Sequence, residues 1–395
     1  MDPYATGWLD LLFRWLHVIA GIAWIGSSFY FIALDNHLRP PKDERDSEQG
    51  VGGEAWEIHG GGFYHVLKYR VAPPRLPEQL LWFKWEAYAT WLSGFGLLVV
   101  LYYFNAETYL IDKSVADLDT TAAILISVTL LVASWAVYDG LCRLIPRNDP
   151  LVGGILLVLV TVAAWGISHL FSGRGEYIQV GAMLGTMMAA NVFLVIIPAH
   201  WELIRAKEAG REPDPEPGRR AKQRSVHNNY LTLPVVFTMI SNHFPFTYGH
   251  SYSWLTLVAL MVIGAWTRLF FNLRHTGRSY WAIPVTAALA IAAVAVAIRP
   301  DSGSSSHDAK PVSFARVQAI VAERCVPCHS VRPTRVDSPP KGVVLDTPSE
   351  IKAQAAKIEQ VAVSSKAMPI GNVTGMTQTE RDALGAWIRQ GSKLR

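Results

Sequence analysis

Cysteine is scarce, with 3 in 395 residues. That excludes a disulfide-built scaffold. It also leaves a four-ligand zinc site short of thiols, because Cys142 stands far from the other two in an apolar setting. Charge is scarce too. Only 17% of residues are charged and the formal net charge is +4. The basic residues gather in particular loops, which argues membrane orientation rather than nucleic-acid binding. The N-terminus lacks the basic n-region and small-residue cleavage site of a secretory leader. The first apolar segment is therefore expected to stay as an anchor.

Apolar and aromatic residues are plentiful: 50% hydrophobic, with 14 tryptophans and 14 tyrosines. This is the composition of a membrane protein with interfacial aromatic belts. Runs long enough to cross a bilayer lie near 8–34, 80–104, 121–141, 151–171, 177–197, 254–271 and 279–298. A weaker one, 230–247, is interrupted by Pro234 and Pro245. Charge decides whether to count it. With eight spans, the basic loops 35–79 and 200–229 and the short loops carrying Arg143, Arg147, Arg274 and Arg278 fall on one side. The opposite loops hold only Lys113 and Arg174. That is the positive-inside pattern, and it places both termini outside.

Residues 325–329 read Cys-Val-Pro-Cys-His. Two thiols flanking two residues, with a histidine next, can close on one haem's vinyl groups while the imidazole meets the iron. Cys325, Cys328 and His329 are thus expected to hold one covalent haem c, which bacteria attach on the outer side of the membrane. The eight-span topology puts the motif there. A Ser/Gly-rich tether over 299–311 precedes a small domain over 312–395. In it Phe314, Val317, Ile320 and Val321 recur at helical spacing, and Thr377–Glu380 forms a capping-box pattern ahead of Leu384, Trp387 and Ile388. The second iron ligand is expected to be Met368, which precedes Pro369 in a glycine-containing loop. Met376 is the alternative, and a core methionine the plain reading of either.

In the membrane part, over 1–298, His17 lies roughly 13 Å deep at helical rise. It could ligate a second, non-covalent haem, accept a proton, or simply hydrogen-bond between helices. His169 and His243, near the outer ends of their spans, are candidate partners for it. On the inner side, His59-Gly-Gly-Gly-Phe-Tyr-His65 combines two imidazoles with glycines and aromatics, and the Lys-Ser/Thr of a phosphate loop is missing. Glu86, His200, Glu202 and His227 lie at a similar level, beside a Trp82/Trp85 belt. The candidates for catalysis are His17, His59, His65, Glu86, His200 and His243. Their alternative role is ordinary interfacial polarity.

The opening Trp-Leu-His-Val-Ile-Ala-Gly-Ile-Ala-Trp-Ile-Gly, the HGGGFYH stretch, Lys-Trp-Glu-Ala-Tyr at 84–88 and the CVPCH domain resemble the membrane-bound cytochrome c urate oxidases of bacteria. The resemblance implies oxidation of urate to 5-hydroxyisourate in purine catabolism, with electrons leaving through haem c to a soluble cytochrome c or a terminal oxidase. The first span alone also looks like that of the membrane protoporphyrinogen oxidases, which favours haem at His17. The fold expected is all-α: an eight-helix transmembrane bundle followed by a class I-type cytochrome c domain. The alternatives are another membrane dehydrogenase, for instance quinol-oxidising, with the same tail, a non-catalytic electron-transfer module, and a transporter with a cytochrome appendage.

Overall fold

The computed structural model describes residues 3–299 and 311–394. The chain is predominantly helical, 68% helix and 5% strand. The tether expected over 299–311 lies, from 300 to 310, outside the described residues.

Helix α1 runs Pro3–His37 and packs along α2, Trp85–Leu97, which continues as a wider π turn over Leu98–Tyr103. Next come α3, Thr120–Leu144, α4, Asp149–Ser168, and α5, Gly173–Glu208, the last with a π turn at Val192–Ile196. The set closes with α6, Pro215–Ile240, α7, Ser253–His275, and α8, Ala282–Ala297. Side chains at the starts explain where several of these helices begin. Asp119, Asn148, Ser172 and Asp214 each accept a hydrogen bond from a first-turn amide, satisfying donors that the helix itself leaves unpaired.

α1, α3, α4, α5 and α7 are long and apolar enough to cross a membrane. Their outward faces stay apolar: Leu12, Trp15, Ile19, Val132, Val158 and Leu255 are all exposed. A water-soluble protein would bury such surface. One core cluster runs through α3, α4, α5 and α7 and includes Tyr138, Cys142, Tyr177, Leu184 and Leu257.

The structure amends the sequence reading at three places. The chain is not wholly α-helical, because Val51–His59 (β1) and Gly62–Tyr69 (β2) form an antiparallel hairpin where a loop was expected. Gly60 and Gly61 turn it with φ of +57° and +84°, the left-handed backbone that two-residue hairpin turns demand. The second run starts at Trp85 rather than 80. The weak run 230–247 is the second half of α6, which passes through Pro234, reaches back to Pro215 and ends at Ile240, followed by tight turns at Ser241–His243 and Pro245–Thr247. Much of the expected loop 200–229 is therefore helix.

The C-terminal unit has its own core. α9, Phe314–Arg324, α10, Pro348–Ala353, and α11, Gln378–Arg389, surround Val317, Val321, Leu345, Ile351, Leu384 and Trp387. A short helix, Ala355–Ile358, with its π continuation Glu359–Ser364, completes it. That is more helix than the spacing at 314–321 and the capping pattern at 377–380 announce. Thr377 and Glu380 do form the capping box at the start of α11.

Candidate functional site

α9 ends at the Cys-x-x-Cys-His turn. The Cys325 amide bonds back to the Val321 carbonyl at 2.9 Å, and the His329 amide bonds to the Cys325 carbonyl at 2.9 Å. The two thiols are free, not joined to each other. Burial pushes the Cys325 thiol up to about 11. His329 places Nδ1 3.1 Å from the Val343 carbonyl. A carbonyl only accepts, so Nδ1 donates here, which leaves Nε2 as the nitrogen that could meet an iron. Cys325, Val326, Val343 and Met368 sit half-buried at the edge of the unit's core. Met376 is 3% exposed within that core, and Asn372 clasps its backbone at both N–H and C=O.

The Met368 loop is held by Arg381, a buried guanidinium that donates to the carbonyls of Ala362 and Met368. Burial lowers its pKa, while Asp112 and neighbouring groups raise it. Arg381→Met should strip both carbonyls of their donor and cost about 1.5–3 kcal/mol. The full chain's denaturation midpoint would report the loss. Faster hydrogen exchange at the Met368 amide, bonded at 2.8 Å to the Val361 carbonyl, would place it in this loop.

The same loop is where the C-terminal unit meets the helical part. Its turn Ile370–Asn372 packs on the short helix Ala106–Tyr109. Gly371 lies so close to the Thr108 carbonyl that a Cβ would overlap it. Across the junction, a Cβ on Gly249 would overlap the Ser365 carbonyl. Behind this seat lies a group of rings. Tyr102 and Tyr109 are 6.0 Å apart, Tyr177 and Tyr248 5.6 Å, and Arg174 stands 5.2 Å over Tyr109.

The six residues expected as catalytic candidates do not converge. His17 points its Nδ1 at the Thr90 carbonyl, 2.9 Å away, with Ser93 Oγ at 3.2 Å. This interhelical contact engages Nδ1. His65 stacks on Trp56 at 4.2 Å and pairs with the buried Glu54 at 2.9 Å. His59 is exposed at the hairpin tip, and His243 is exposed in the Ser241–His243 turn at the opposite end. Glu86 keeps one buried carboxylate oxygen without a partner on α2. His200 tilts against Trp82 at 6.3 Å. Of the others, His169 bonds to the Trp165 carbonyl at 2.7 Å, and Glu202 pairs with Arg211 at 2.6 Å. Among the described residues, no three His, Cys, Asp or Glu side chains gather around a common point.

What does converge is a polar group along α6. Arg224, 4% exposed, donates to Asp139 at 2.6 Å and lies 4.8 Å over the Tyr138 ring. Asp139 also accepts from Arg143 at 2.6 Å. The Tyr138 hydroxyl meets His227 Nδ1 at 2.8 Å and Asn191 Nδ2 at 3.2 Å, and Asn191 bridges on to Asn228 at 2.9 Å. Further along α6, Asn229 accepts from Arg268 and Asn272. Within apolar helices such groups survive only by pairing. The signal was present in the sequence, since Arg224, His227 and Asn228 stand at i, i+3 and i+4 and share one helix face. A hydropathy scan overlooks it because it scores polarity and not partnership.

Beyond the geometry, the family model described as urate oxidase N-terminal matches residues 3–299. The chain belongs to this urate oxidase family. No curated protein and no solved structure matches it. As a member of the urate oxidase family it is an oxidoreductase acting in urate-related chemistry. The match covers the helical part and stops before the Cys-x-x-Cys-His unit.

Proposed function

We propose that the chain is a membrane-bound urate oxidase that delivers its electrons to a covalently held haem c. Urate and water become 5-hydroxyisourate, releasing two protons and two electrons, a balanced hydroxylation that needs an acceptor outside the substrate. The observation that carries this reading is one chain that joins a urate oxidase region, 3–299, to two free thiols and an oriented imidazole at 325–329. Cys325 and Cys328 would hold the group and His329 would supply one axial ligand. Met368, at the core's edge, would supply the other in preference to the enclosed Met376. When bound, the haem takes up one electron at a time.

In this reading eight helices span a bacterial inner membrane, α1 to α8, including α2, α6 and the shorter α8. Arg224, His227, Asn228 and Asn229 of α6 each have a partner inside the bundle, so its low apolarity is compatible with crossing. Both termini lie outside, and the next acceptor is a soluble cytochrome c or terminal oxidase. The C-terminal unit sits against Ala106–Tyr109 and Gly249, at the end opposite the basic loops, which fits that orientation.

Haem attachment is testable directly. Purified from a host that assembles c-type cytochromes, the protein should give one pyridine haemochrome that stays with the denatured chain. Cys325→Ser with Cys328→Ser should lose it. A haem-free wild-type chain from that host would overturn the electron route and leave the family membership standing.

A further inference from the structure

A cavity of about 390 Å³ opens between α3, the far half of α5 and the start of α6. That is within the range of small-ligand sites, roughly 300–1,000 Å³. One wall is apolar, with Leu194, Val195 and Pro198, and the other carries Arg220, Gln223 and Arg224. The two carboxylates on its lining are already engaged. Asp139 takes Arg143 and Arg224, and Glu202 takes Arg211. Arg220 is exposed at the mouth and has no hydrogen-bonded partner among the described residues. One guanidinium nitrogen of Arg224 is buried and unpaired. The lining therefore has guanidinium donors to spare and no acceptor charge to match them.

We infer that this cavity binds the urate anion, an inference that rests on the urate-oxidising reading above. The ligand is flat, singly charged, and edged by alternating carbonyl and N–H groups. Guanidinium forks match such carbonyl edges with two parallel hydrogen bonds. The Gln223 Nε2 is taken by Asp149 and the Pro146 carbonyl, which leaves its Oε1 to accept from a ring N–H, and the Leu194–Pro198 wall covers a ring face. Arg220 and Gln223 are binding residues here, while Asp139 positions Arg224. Basic residues cluster at this end of the bundle, so anions are drawn toward it. Along α3, the cavity end and the end near the C-terminal unit are about 33 Å apart at 1.5 Å per residue. Binding is thus separable from haem reduction.

The test is equilibrium binding of urate to the oxidised, full-length protein in detergent, by anaerobic calorimetry. Arg220→Met should weaken binding roughly 10- to 100-fold, the loss of one charge-assisted interaction. Arg219→Met, one residue away and paired with Glu216, should leave binding unchanged, and both variants should keep the wild-type thermal midpoint. Wild-type affinity in Arg220→Met would move the site elsewhere while the urate reading stands. No urate binding by the wild-type protein would overturn both.

Discussion

Gly249→Leu should leave both halves of the protein folded and still cut urate-driven haem reduction on the order of 100-fold, the scale on which misplacement of about 1 Å acts. The reason is local. Gly249 faces the Ser365 carbonyl with no room for a Cβ, and Ser365 is buried at this junction. A leucine must push the C-terminal unit off its seat and carry the Met368 loop away from Ala106–Tyr109. Reduction by a small diffusible donor such as ascorbate should be unaffected, because it does not use that seat. Hydrogen exchange should rise over 106–112 and 365–372 together. Gly371→Ala would be a poorer probe, since φ at Gly371 is +57° and backbone strain would add to the clash. Unchanged urate-driven reduction in Gly249→Leu, with exchange raised, would mean the docked arrangement is not the one that loads the haem.

Asp139→Ala should cost about 3–5 kcal/mol of stability, the usual consequence of leaving a buried charge without its partner. Arg224 and Asp139 have side chains only 4% and 8% exposed. One Arg224 nitrogen already lacks an acceptor, so nothing nearby can take over from the carboxylate. The measurement is the thermal midpoint for loss of monodisperse protein in detergent. Asp139→Leu combined with Arg224→Met should recover most of the loss, because removing both charges removes the desolvation cost as well. A single-variant effect below about 1 kcal/mol would mean that water reaches Arg224 freely.

How far the sequence could be read follows from what each signal measures. Two helices of the C-terminal unit were legible. Phe314, Val317, Ile320 and Val321 repeat at helical spacing and are buried, and the Thr377–Glu380 box caps the helix it announced. The apolar helices were legible too, since length and hydropathy suffice to find α1, α3, α4, α5 and α7. The hairpin was not. Its glycines and aromatics spoke for ligand contact, while in the structure Gly60 and Gly61 serve the turn and Trp56 serves His65. The candidate cavity was least legible of all. Asp139 and Arg224 lie 85 residues apart, and their meeting depends on the packing of α3 against α5 and α6, which no local pattern encodes. Lone histidines drew the reading instead, among them His17, whose Nδ1 meets the Thr90 carbonyl.

The central claim is that oxidation of urate fills the haem with electrons. Anaerobic titration of the oxidised, full-length protein with urate, followed in the visible haem spectrum, tests it most directly. The account predicts reduction of two haems per urate consumed, with the spectrum reaching the form that ascorbate produces. A haem that stays oxidised under excess urate, yet is reduced by ascorbate, would contradict it.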